Sequence, residues 1–415
     1  MKKYLFFWLL LMNSCLGKGQ VNLNELTLDQ WKIDLDYMVN RINKSFAGFN
    51  PELKTQFLQE TQKLKANLTN LSRNQIIMEF ARMLALLNDG HTELSLTGPG
   101  AHFNRFPLIL YFFGHDLRII GTTNQNTSVL GAKLIKIENH DVHDIVEKLK
   151  PYMNKDNDIE YITTAPYLMV IPEVLEAIGI VSDPLKSNFT VITDDGKEQT
   201  IDLSSVSLNS YNRTDFVRAY SKPPLCLESN AESNWFKYLA ESGIMYVQYK
   251  TLYNQDHQRT VRKLTEDLWK EVDRLKPGKI VIDFRFCRGG NYNNILPFIQ
   301  QIAKRPDLNV KGKLFVISGR LTFSAAAVAL LYFKQQTDAI LLGEISRARP
   351  NWADNMEEYD LPCSKLNFDC MDKIKTHFPE LGNPDRIPID VEIPKTFDAY
   401  RAGHDEVMDY IISRK

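Results

Sequence analysis

The sequence has almost no net charge and no concentration of charge of one sign. Its 50 Lys and Arg residues are balanced by 51 Asp and Glu residues, which leaves a formal net charge of −1. There is no basic stripe and no low-complexity tract, so electrostatics gives no reason to expect a nucleic-acid partner. The composition, 44% hydrophobic and 24% charged, is that of a globular protein, and its function must come from a local site.

Cysteine is scarce, and its spacing does not match the usual metal sites. The chain has 5 cysteines, and no CxxC pair or His/Cys cluster has the spacing of zinc ligands. We therefore expect neither a metal site nor a cofactor. In an exported chain, Cys363 and Cys370 could close a short disulfide loop.

The N-terminus carries no run long enough to cross a bilayer. The apolar run Tyr4–Met12 is too short for that, but with Lys2 and Lys3 before it the run fits the hydrophobic region of a bacterial secretory signal. We expect a signal peptide over residues 1–19 and an exported protein that is periplasmic, outer-membrane-associated or extracellular. In the alternative, Cys15 is the lipid-modified first residue of a lipoprotein and anchors the protein to a membrane.

The length of the chain predicts two or three domains, because 415 residues exceed what one hydrophobic core usually supports. We predict that residues 20–100 form a helical domain. Two capping boxes, Thr27–Gln30 and Ser72–Gln75, mark the starts of amphipathic helices in it.

Residues 101–205 are richer in short β-favouring stretches and form the second predicted unit. Residues 131–149, GAKLIKIENHDVHDIVEKL, resemble the strand, turn and helix of a PDZ-type module. Such a module binds an extended peptide by adding it to a sheet edge. The alternative is a β-rich insertion that binds no ligand.

Strands alternate with helices over residues 206–415. Strand-like stretches such as GKIVIDFRF and GKLFVISG are each followed by a helical stretch. This alternation is typical of a parallel sheet covered by helices. We therefore predict one α/β domain of catalytic type in this part of the chain.

Two strand ends in the predicted α/β domain carry candidate site residues, because working groups in such sheets gather at the carboxyl ends of the strands. Gly289 and Gly290 follow one strand, and paired glycines there can present backbone N–H groups to an oxyanion. Ser324 follows another strand and begins a helix, with the N–H group of Ala325 beside it. A plain helix N-cap and a catalytic nucleophile are both compatible with Ser324.

A serine nucleophile needs a base to remove its proton. Among the 8 histidines, His91 differs because it follows Gly90, which ends a predicted helix, in a DGHT turn between two predicted domains. Histidine titrates near neutral pH, which suits general-base catalysis. His91 is therefore the candidate base.

Several motifs, in order along the chain, resemble the tail-specific, or C-terminal-processing, serine protease family, whose members include the tricorn core protease and the interphotoreceptor retinoid-binding protein. The matching stretches span roughly residues 75–415 and read NDGHTEL, VIDFRFCRGGN, LTFSAAAVA, LLGEIS and IPIDVEIPKTFDAYRAGHDEVMDYII. The resemblance implies a ClpP/crotonase-like α/β catalytic domain, joined to the N-terminal helical domain and the PDZ-like β-rich module.

By position, the resemblance makes Ser324 the nucleophile and assigns the oxyanion hole to backbone amides of Gly289 or Gly290 together with Ala325. One branch of the family activates its serine with a lysine in the motif G-E-x-T-x-G-K, where this chain has Arg349. Arginine stays protonated and cannot act as a neutral base. The chain therefore departs from the Ser/Lys branch.

The other branch, which includes tricorn, takes its base from the segment that matches DGHT, and His91 fits that role. A triad also needs a carboxylate to orient the imidazole. The C-terminal third offers four candidates, which the sequence does not separate: Glu357, Glu358, Asp360 and Asp390. Arg285 and Arg288 are candidates to bind a substrate carboxylate, or else form ordinary salt bridges.

These observations predict an exported serine endopeptidase that hydrolyses peptides or unfolded proteins through an acyl-enzyme. The sequence leaves the oligomeric state open. The leading alternative is a catalytically inactive family member that binds peptides or a hydrophobic ligand. A third hypothesis is a glycan-handling surface lipoprotein.

Overall fold

The structure is a computed structural model that describes residues 21–96, 103–207, 215–228, 231–254, 259–351 and 353–414. The predicted signal peptide and Cys15 lie outside the described residues and stay predictions. Within the described ranges, no helix is both long enough and apolar enough to cross a membrane.

Three helices open the described chain: α1 Leu28–Ser45, α2 Pro51–Asn67 and α3 Arg73–Ala85. Both predicted capping boxes are confirmed. Thr27 and Ser72 each accept the N–H of a glutamine in the first turn, and the side chain of that glutamine accepts the N–H of the cap residue. Each box satisfies N–H groups that a helix start leaves unpaired, which fixes where α1 and α3 begin.

The second segment is rich in short strands, as its composition predicts. The strands are β1 Leu94–Ser95, β2 Asn104–Arg105, β3 Leu108–Phe113, β4 Asp116–Thr122, β5 Lys133–Ile137, β6 His140–Asp141, β7 Lys186–Ile192, β8 Glu198–Ser204, β9 Val206–Ser207 and β10 Val217–Arg218. The helices are α4 Val142–Leu149, α5 Ile159–Leu168 and α6 Pro172–Ala177. One antiparallel sheet has the strand order β10-β4-β5-β7-β8, with β3 paired to β4 and β6 to β5.

A parallel sheet follows. It begins with the strands β11 Trp235–Leu239, β12 Ile244–Gln248, β13 Lys279–Asp283, β14 Leu314–Ser318 and β15 Ile340–Gly343, and its helices are α7 Val261–Leu275, α8 Leu296–Ala303 and α9 Ala325–Gln336. Strands β12 to β15 pair in parallel in chain order, and β11 pairs antiparallel with β12. The predicted parallel sheet is thus confirmed. Its strands β12 and β14 are buried along their whole length, as expected for a sheet covered on both faces.

The last elements are β16 Ala353–Asp360, β17 Asn367–Ile374, β18 Val391–Glu392, α10 Phe397–Ala402 and α11 Glu406–Ser413. Strand β18 extends the parallel sheet beyond β15. Strands β16 and β17 form an antiparallel hairpin instead, and β17 pairs with β1 through Leu94 and Phe368. The hairpin therefore joins the C-terminal half of the chain to the end of the N-terminal segment.

The hydrophobic cores do not follow the predicted domain boundaries in one place. One core combines α1 to α3, the antiparallel sheet and residues of the hairpin such as Phe368 and Met371. Two further cores lie on the parallel sheet, one of them with Val407 and Ile411 of α11. The hairpin thus packs with the first core, although it lies within residues 206–415. The whole chain is a mixed α/β fold.

The predicted disulfide between Cys363 and Cys370 is wrong. Cys370 is a free, buried cysteine of β17 and packs in the first core. Cys363 lies in the turn before β17, where its backbone N–H donates to the carboxylate of Asp34 on α1. The side chain of Cys370 is held by core packing on the inner face of the hairpin, so it does not close a loop with Cys363.

Candidate active site

Ser324 lies at the junction between the loop after β14 and the start of α9, and its backbone is strained. Its φ is 53° and its ψ is −127°, a region that side chains with a Cβ rarely adopt. Although it occupies the N-cap position, its side chain makes no capping hydrogen bond to the helix. The simple capping interpretation therefore fails, and the hydroxyl group is left for another use.

The loop before Ser324 is anchored to the adjacent strand end. The hydroxyl of Thr322 donates to the carbonyl of Phe284 at 2.9 Å and accepts the N–H of Gly319 at 2.9 Å. The N–H of Phe323 donates to the carbonyl of Cys287 at 3.1 Å. These bonds join the ends of β13 and β14. They hold the loop in place and so keep Ser324 in its strained conformation.

The positions of both predicted glycines leave no room for a side chain. Gly289 has φ 121°, and a Cβ there would lie 2.7 Å from the Cβ of Ser324. Gly290 has φ 134°, and a Cβ there would lie 2.5 Å from backbone atoms of Leu252 and Tyr253. The backbone at Gly289 can therefore approach the serine closely, which is the arrangement that an oxyanion hole needs.

Ala325 is the first residue of α9, so its N–H has no acceptor within the helix. It adjoins Ser324, as the sequence predicts for a second oxyanion donor. The role of the three amides in catalysis stays a prediction.

His91 lies beside the serine turn. Its ring stacks on Phe323 with 4.3 Å between ring centroids, and its side chain is only 10% exposed. His91 and Ser324 line the same narrow cavity and, on the other side, the same larger cleft. Neither ring nitrogen has a hydrogen-bond partner among the described residues, so the serine–histidine hydrogen bond is not formed here.

Two buried carboxylates, which the sequence analysis missed, flank His91. A carboxylate oxygen of Asp89 lies 3.9 Å from Nδ1 of His91. Asp156 joins the group, since one ligand atom from each of the three residues lies within 4.8 Å of the others. Asp89 belongs to the NDGHT motif and could have been found there, whereas Asp156 comes from the β-rich segment and no sequence signal connects it to His91.

Burial raises the pKa of Asp156, and electrostatic interactions with the neighbouring His91 and Arg349 oppose that rise. The carboxylate accepts the N–H of Gly90 at 2.9 Å, which fixes it under the turn that carries His91. The three residues Asp89, His91 and Asp156 have atoms that could bind a cation. The guanidinium of Arg349, with Nε 3.5 Å from Asp156, already supplies a positive charge there and disfavours a metal ion.

Arg349 lies in the narrow cavity with Ser324, but its bonds go to the histidine side of the site. Its Nη2 donates to the carbonyl of Asn88 at 2.5 Å, and its backbone N–H donates to Asp156 at 3.3 Å. Arg349, at the position where one branch of the family that the sequence resembles has lysine, thus contacts the acid beside His91.

The four predicted orienting acids lie elsewhere. Asp390 binds Lys334 at 2.6 Å and accepts the N–H of Leu341 at 2.9 Å. The other three lie on β16, where Glu357 bonds to Tyr359 and both Glu358 and Asp360 bond to Asn367. The structure brings none of the four into hydrogen-bond contact with His91, whose ring nitrogens are without partners among the described residues.

The two arginines predicted to bind a substrate carboxylate differ in burial and location. Arg285 is buried and forms ion pairs with Asp283 at 2.7 Å and with Asp405 at 2.8 Å, so it holds the end of β13 to the start of α11. Arg288 is exposed and lines the cleft next to Ser324. Only Arg288 remains a candidate to bind substrate.

The cleft that contains Ser324 has a volume of about 310 Å³ and includes acidic residues of two strands. Glu93 is open to solvent through the cleft, yet the enclosing protein desolvates its carboxylate and raises its pKa to about 7, while Arg347 opposes the rise. On β17, burial and then Glu358 raise the pKa of Asp369 to about 6. The negative charge of the cleft therefore increases between weakly acidic and weakly basic pH.

A second histidine, His377, lines the narrow cavity and forms a contact of 3.3 Å with Asp354. Its ring packs against Tyr332, eight residues beyond Ser324 on α9. At 1.5 Å of rise per helical residue, that separation is about 12 Å, whereas His91 contacts the residue next to the serine. The ring contacts thus bring His91 nearer to the serine turn than His377, and the identity of the base stays a prediction.

No family model and no curated protein sequence matches the chain. Among solved structures, mature CPAF complexed with lactacystin is similar over 93% of this chain and 98% of that chain, with 10% identity and a TM-score of 0.64. A serine-to-alanine mutant of CPAF is similar over 93% of this chain and 96% of that chain, with 10% identity and a TM-score of 0.66. The chain therefore has the fold of CPAF.

The photosystem II D1 C-terminal processing protease is similar over 89% of this chain and 94% of that chain with 13% identity, but its TM-score of 0.43 adds nothing to that conclusion. CPAF is a protease of the tail-specific type. The resemblance predicted from the sequence motifs is thus confirmed at the level of the fold.

Proposed function

We propose that the protein is a serine peptidase that forms an acyl-enzyme on Ser324. The observation that carries this proposal is the strained backbone of Ser324, with φ 53°, beside Gly289 and in one cavity with His91. Strain of this kind is retained at functional sites when the surrounding contacts enforce it. The fold shared with CPAF, a serine protease, supports the same chemistry.

In the proposed mechanism, the Oγ of Ser324 attacks a peptide carbonyl while His91 removes the hydroxyl proton. The carbonyl oxygen becomes an oxyanion that accepts hydrogen bonds from the backbone amides of Gly289 or Gly290 and of Ala325. His91 then gives the proton to the leaving amine, and the peptide bond breaks. A water molecule, activated by the same histidine, hydrolyses the ester and releases the acid.

We infer that Asp89 and Asp156 take the place of the orienting acid. They flank His91, whereas the four acids first considered bond to other residues. A carboxylate beside the imidazole favours the protonated form that arises during attack. Because the serine–histidine bond is not formed, a movement of His91 toward Ser324 on substrate binding belongs to the proposal.

The finer features of the protein are also proposals. They comprise an endopeptidase activity on peptides or unfolded proteins, a ClpP/crotonase-like catalytic domain over residues 206–415, and a PDZ-like module over residues 101–205 that binds peptide. We further propose export directed by a signal peptide over residues 1–19, to the periplasm, the outer membrane or the exterior. In the alternative, Cys15 is the lipid-modified first residue and attaches the protein to a membrane.

The second candidate function is that of an inactive peptide or ligand binder. It is favoured by the two ring nitrogens of His91 that lack partners among the described residues, and by Arg349 at the position of the family's lysine. A binder would not need an activated serine, so the reactivity of Ser324 separates the two functions.

The experiment is to treat the folded protein with a fluorophosphonate probe and to locate the adduct by peptide mapping. We expect labelling at Ser324, loss of labelling and of casein hydrolysis in Ser324→Ala, and normal behaviour of Ser221→Ala, an exposed serine elsewhere. Hydrolysis should fall about 1,000-fold or more in Ser324→Ala. An adduct only at other serines, or full activity of Ser324→Ala, would refute the peptidase proposal.

A further inference from the structure

A second cavity lies next to the cleft of Ser324 and has about twice its volume, about 640 Å³ against about 310 Å³. It is bordered by the antiparallel sheet on one side and by loops of the parallel sheet on the other. Its apolar lining comes mainly from rings and aliphatic chains: Tyr111, Phe113, Ile120, Tyr220, Phe286 and Tyr400. A cavity of this size and lining suits a small organic ligand.

The charged groups in the lining are all basic: Arg218, Lys250, Arg288 and Lys395. Carboxylates are missing from the described residues that line the cavity. An apolar wall with several converging cations is the complement of an anion that has an apolar body.

Lys395, on the segment between β18 and α10, is the most informative of these cations. Its ammonium lies 5.3 Å from the ring centre of Tyr111 and 5.9 Å from that of Phe286. Within the described part of the chain, Lys395 has neither an ion pair nor a side-chain hydrogen bond. The nearby carboxylate of Glu344 is already held by Arg320 at 2.9 Å.

The charge of Lys395 persists despite its surroundings. Burial acts to lower the pKa of Lys395, but Tyr111 and Glu344 raise it to about 12. The surroundings therefore keep the ammonium charged, while none of its N–H groups is used in a hydrogen bond within the described residues. A bound anion could accept those hydrogen bonds.

We propose that this cavity binds an organic carboxylate with an apolar body, whose carboxylate pairs with Lys395 and whose body lies against the rings of Tyr111, Phe113 and Tyr400. Arg288 lines both this cavity and the cleft, so the bound carboxylate would lie beside the region where Ser324 works. The site is separate from the proposed peptidase chemistry and does not require it.

The test uses full-length Ser324→Ala protein, so that binding is measured without turnover. A dansyl-labelled undecanoic acid and its methyl ester are titrated by fluorescence. We expect saturable binding of the acid and about tenfold weaker binding of the ester, because the ester lacks the charge that Lys395 recognises. Equal affinity for the acid and the ester, or no saturable binding of the acid, would overturn the proposal.

Three variants, one of them a matched control, keep the test specific. Lys395→Met should weaken the acid about tenfold and leave the ester unchanged, whereas Lys375→Met should change neither. Lys375 is a matched control because its ammonium also lies over a ring, that of Tyr292 at 5.2 Å, outside this cavity. Ile120→Trp fills the cavity without changing charge and should weaken both ligands. Unchanged acid binding in folded Lys395→Met, or in Ile120→Trp, contradicts the site.

Competition identifies the natural source of the carboxylate. Dodecanoate and a peptide that ends in leucine with a free carboxyl group are compared with the same peptide as its C-terminal amide. Displacement of the probe by the free peptide but not by the amide assigns the site to peptide tails. Displacement by dodecanoate alone assigns it to free acids. Displacement by the amide as well as by the free peptide would refute carboxylate recognition.

Discussion

The backbone of Ser324 is strained in a way that glycine would relieve. A residue with a Cβ at φ 53° and ψ −127° costs about 1 to 3 kcal/mol, and glycine avoids that cost although it loses more entropy on folding. We predict that Ser324→Gly is more stable than Ser324→Ala by about 1 kcal/mol, measured by urea denaturation. Ala329→Gly, inside the same helix, should lose about 1 kcal/mol instead. A Ser324→Ala protein as stable as Ser324→Gly would contradict the strain.

Asp156 provides the residue-scale test of how His91 is oriented. Asp156→Asn keeps the size of the side chain but removes its charge, so the imidazole loses a partner that stabilises its protonated form. We predict that kcat falls about 100-fold or more while KM changes little. Asp158→Asn is the control, since Asp158 lies two residues along the chain from Asp156, is exposed and pairs with Lys155. If Asp156→Asn retained full kcat, Asp156 would have no role in the site.

At the scale of elements, the turn after β13 requires glycine at position 289, where the backbone passes close to Ser324. Gly289→Ala would place a Cβ 3.2 Å from the Oγ of Ser324 as well as against its Cβ, and would strain the backbone. We predict a loss of about 100-fold or more in kcat/KM, because the serine and the adjacent amide must both move. Gly179→Ala, which has φ 71° and open space around it, should lose stability but no activity. Equal activity of Gly289→Ala and the parent protein would exclude this close approach.

Glu93, just before β1, and Asp369 of the hairpin give the cleft a pH-dependent wall. The pKa of Glu93, about 7, exceeds its ordinary value of 4.5, so between these values the folded protein binds more protons at Glu93 than the unfolded chain does. This group therefore favours folding below about pH 4.5, and that contribution is lost as pH rises through about 7.

We predict that Glu93→Gln raises the melting temperature at pH 8 and leaves it nearly unchanged at pH 5. Thermal melts at both pH values measure the difference, with Glu52→Gln, an exposed helical site, as the control. An equal gain at both pH values would show that the effect does not come from titration of Glu93.

The elements were largely predictable because each carries a local signal. The capping boxes at Thr27 and Ser72, and the apolar strands before Gly289 and Ser324, depend on residues close in sequence. The positive φ of Ser324 and the approach of Asp156 to His91 depend on contacts between distant segments. A single sequence contains no local pattern for such contacts.

At the scale of the whole molecule, the hairpin of β16 and β17 links the helical segment to the cleft. Its residues Met371 and Phe368 pack in the first core, while Asp354 and Asp369 line the cleft beside Ser324. The alternation of strands and helices over residues 206–415 predicted one α/β unit, and it could not show that this hairpin packs elsewhere. The periodicity of a strand identifies a buried face but not the partner that covers it.

One buried carboxylate holds this link together. Asp34 of α1 accepts the N–H groups of Cys363 at 2.7 Å and Ser364 at 2.8 Å, in the turn of the hairpin. Burial raises the pKa of Asp34, and the bond from Ser364 opposes that rise. Asp34→Ala leaves two buried N–H groups without an acceptor, so we predict a loss of about 3 kcal/mol in the free energy of unfolding. Asp29→Ala, at an exposed position on the same helix, should change it by less than about 0.5 kcal/mol.

The same variant tests whether the helical segment supports the site. Because the hairpin forms one wall of the cleft, a loosened turn at Cys363 should weaken substrate binding before the protein unfolds. We expect Asp34→Ala to raise KM for casein at temperatures where circular dichroism still reports a native fold, with Ser324 still labelled by the fluorophosphonate. An unchanged KM together with the expected loss of stability would mean that the helical segment stabilises the fold without shaping the cleft.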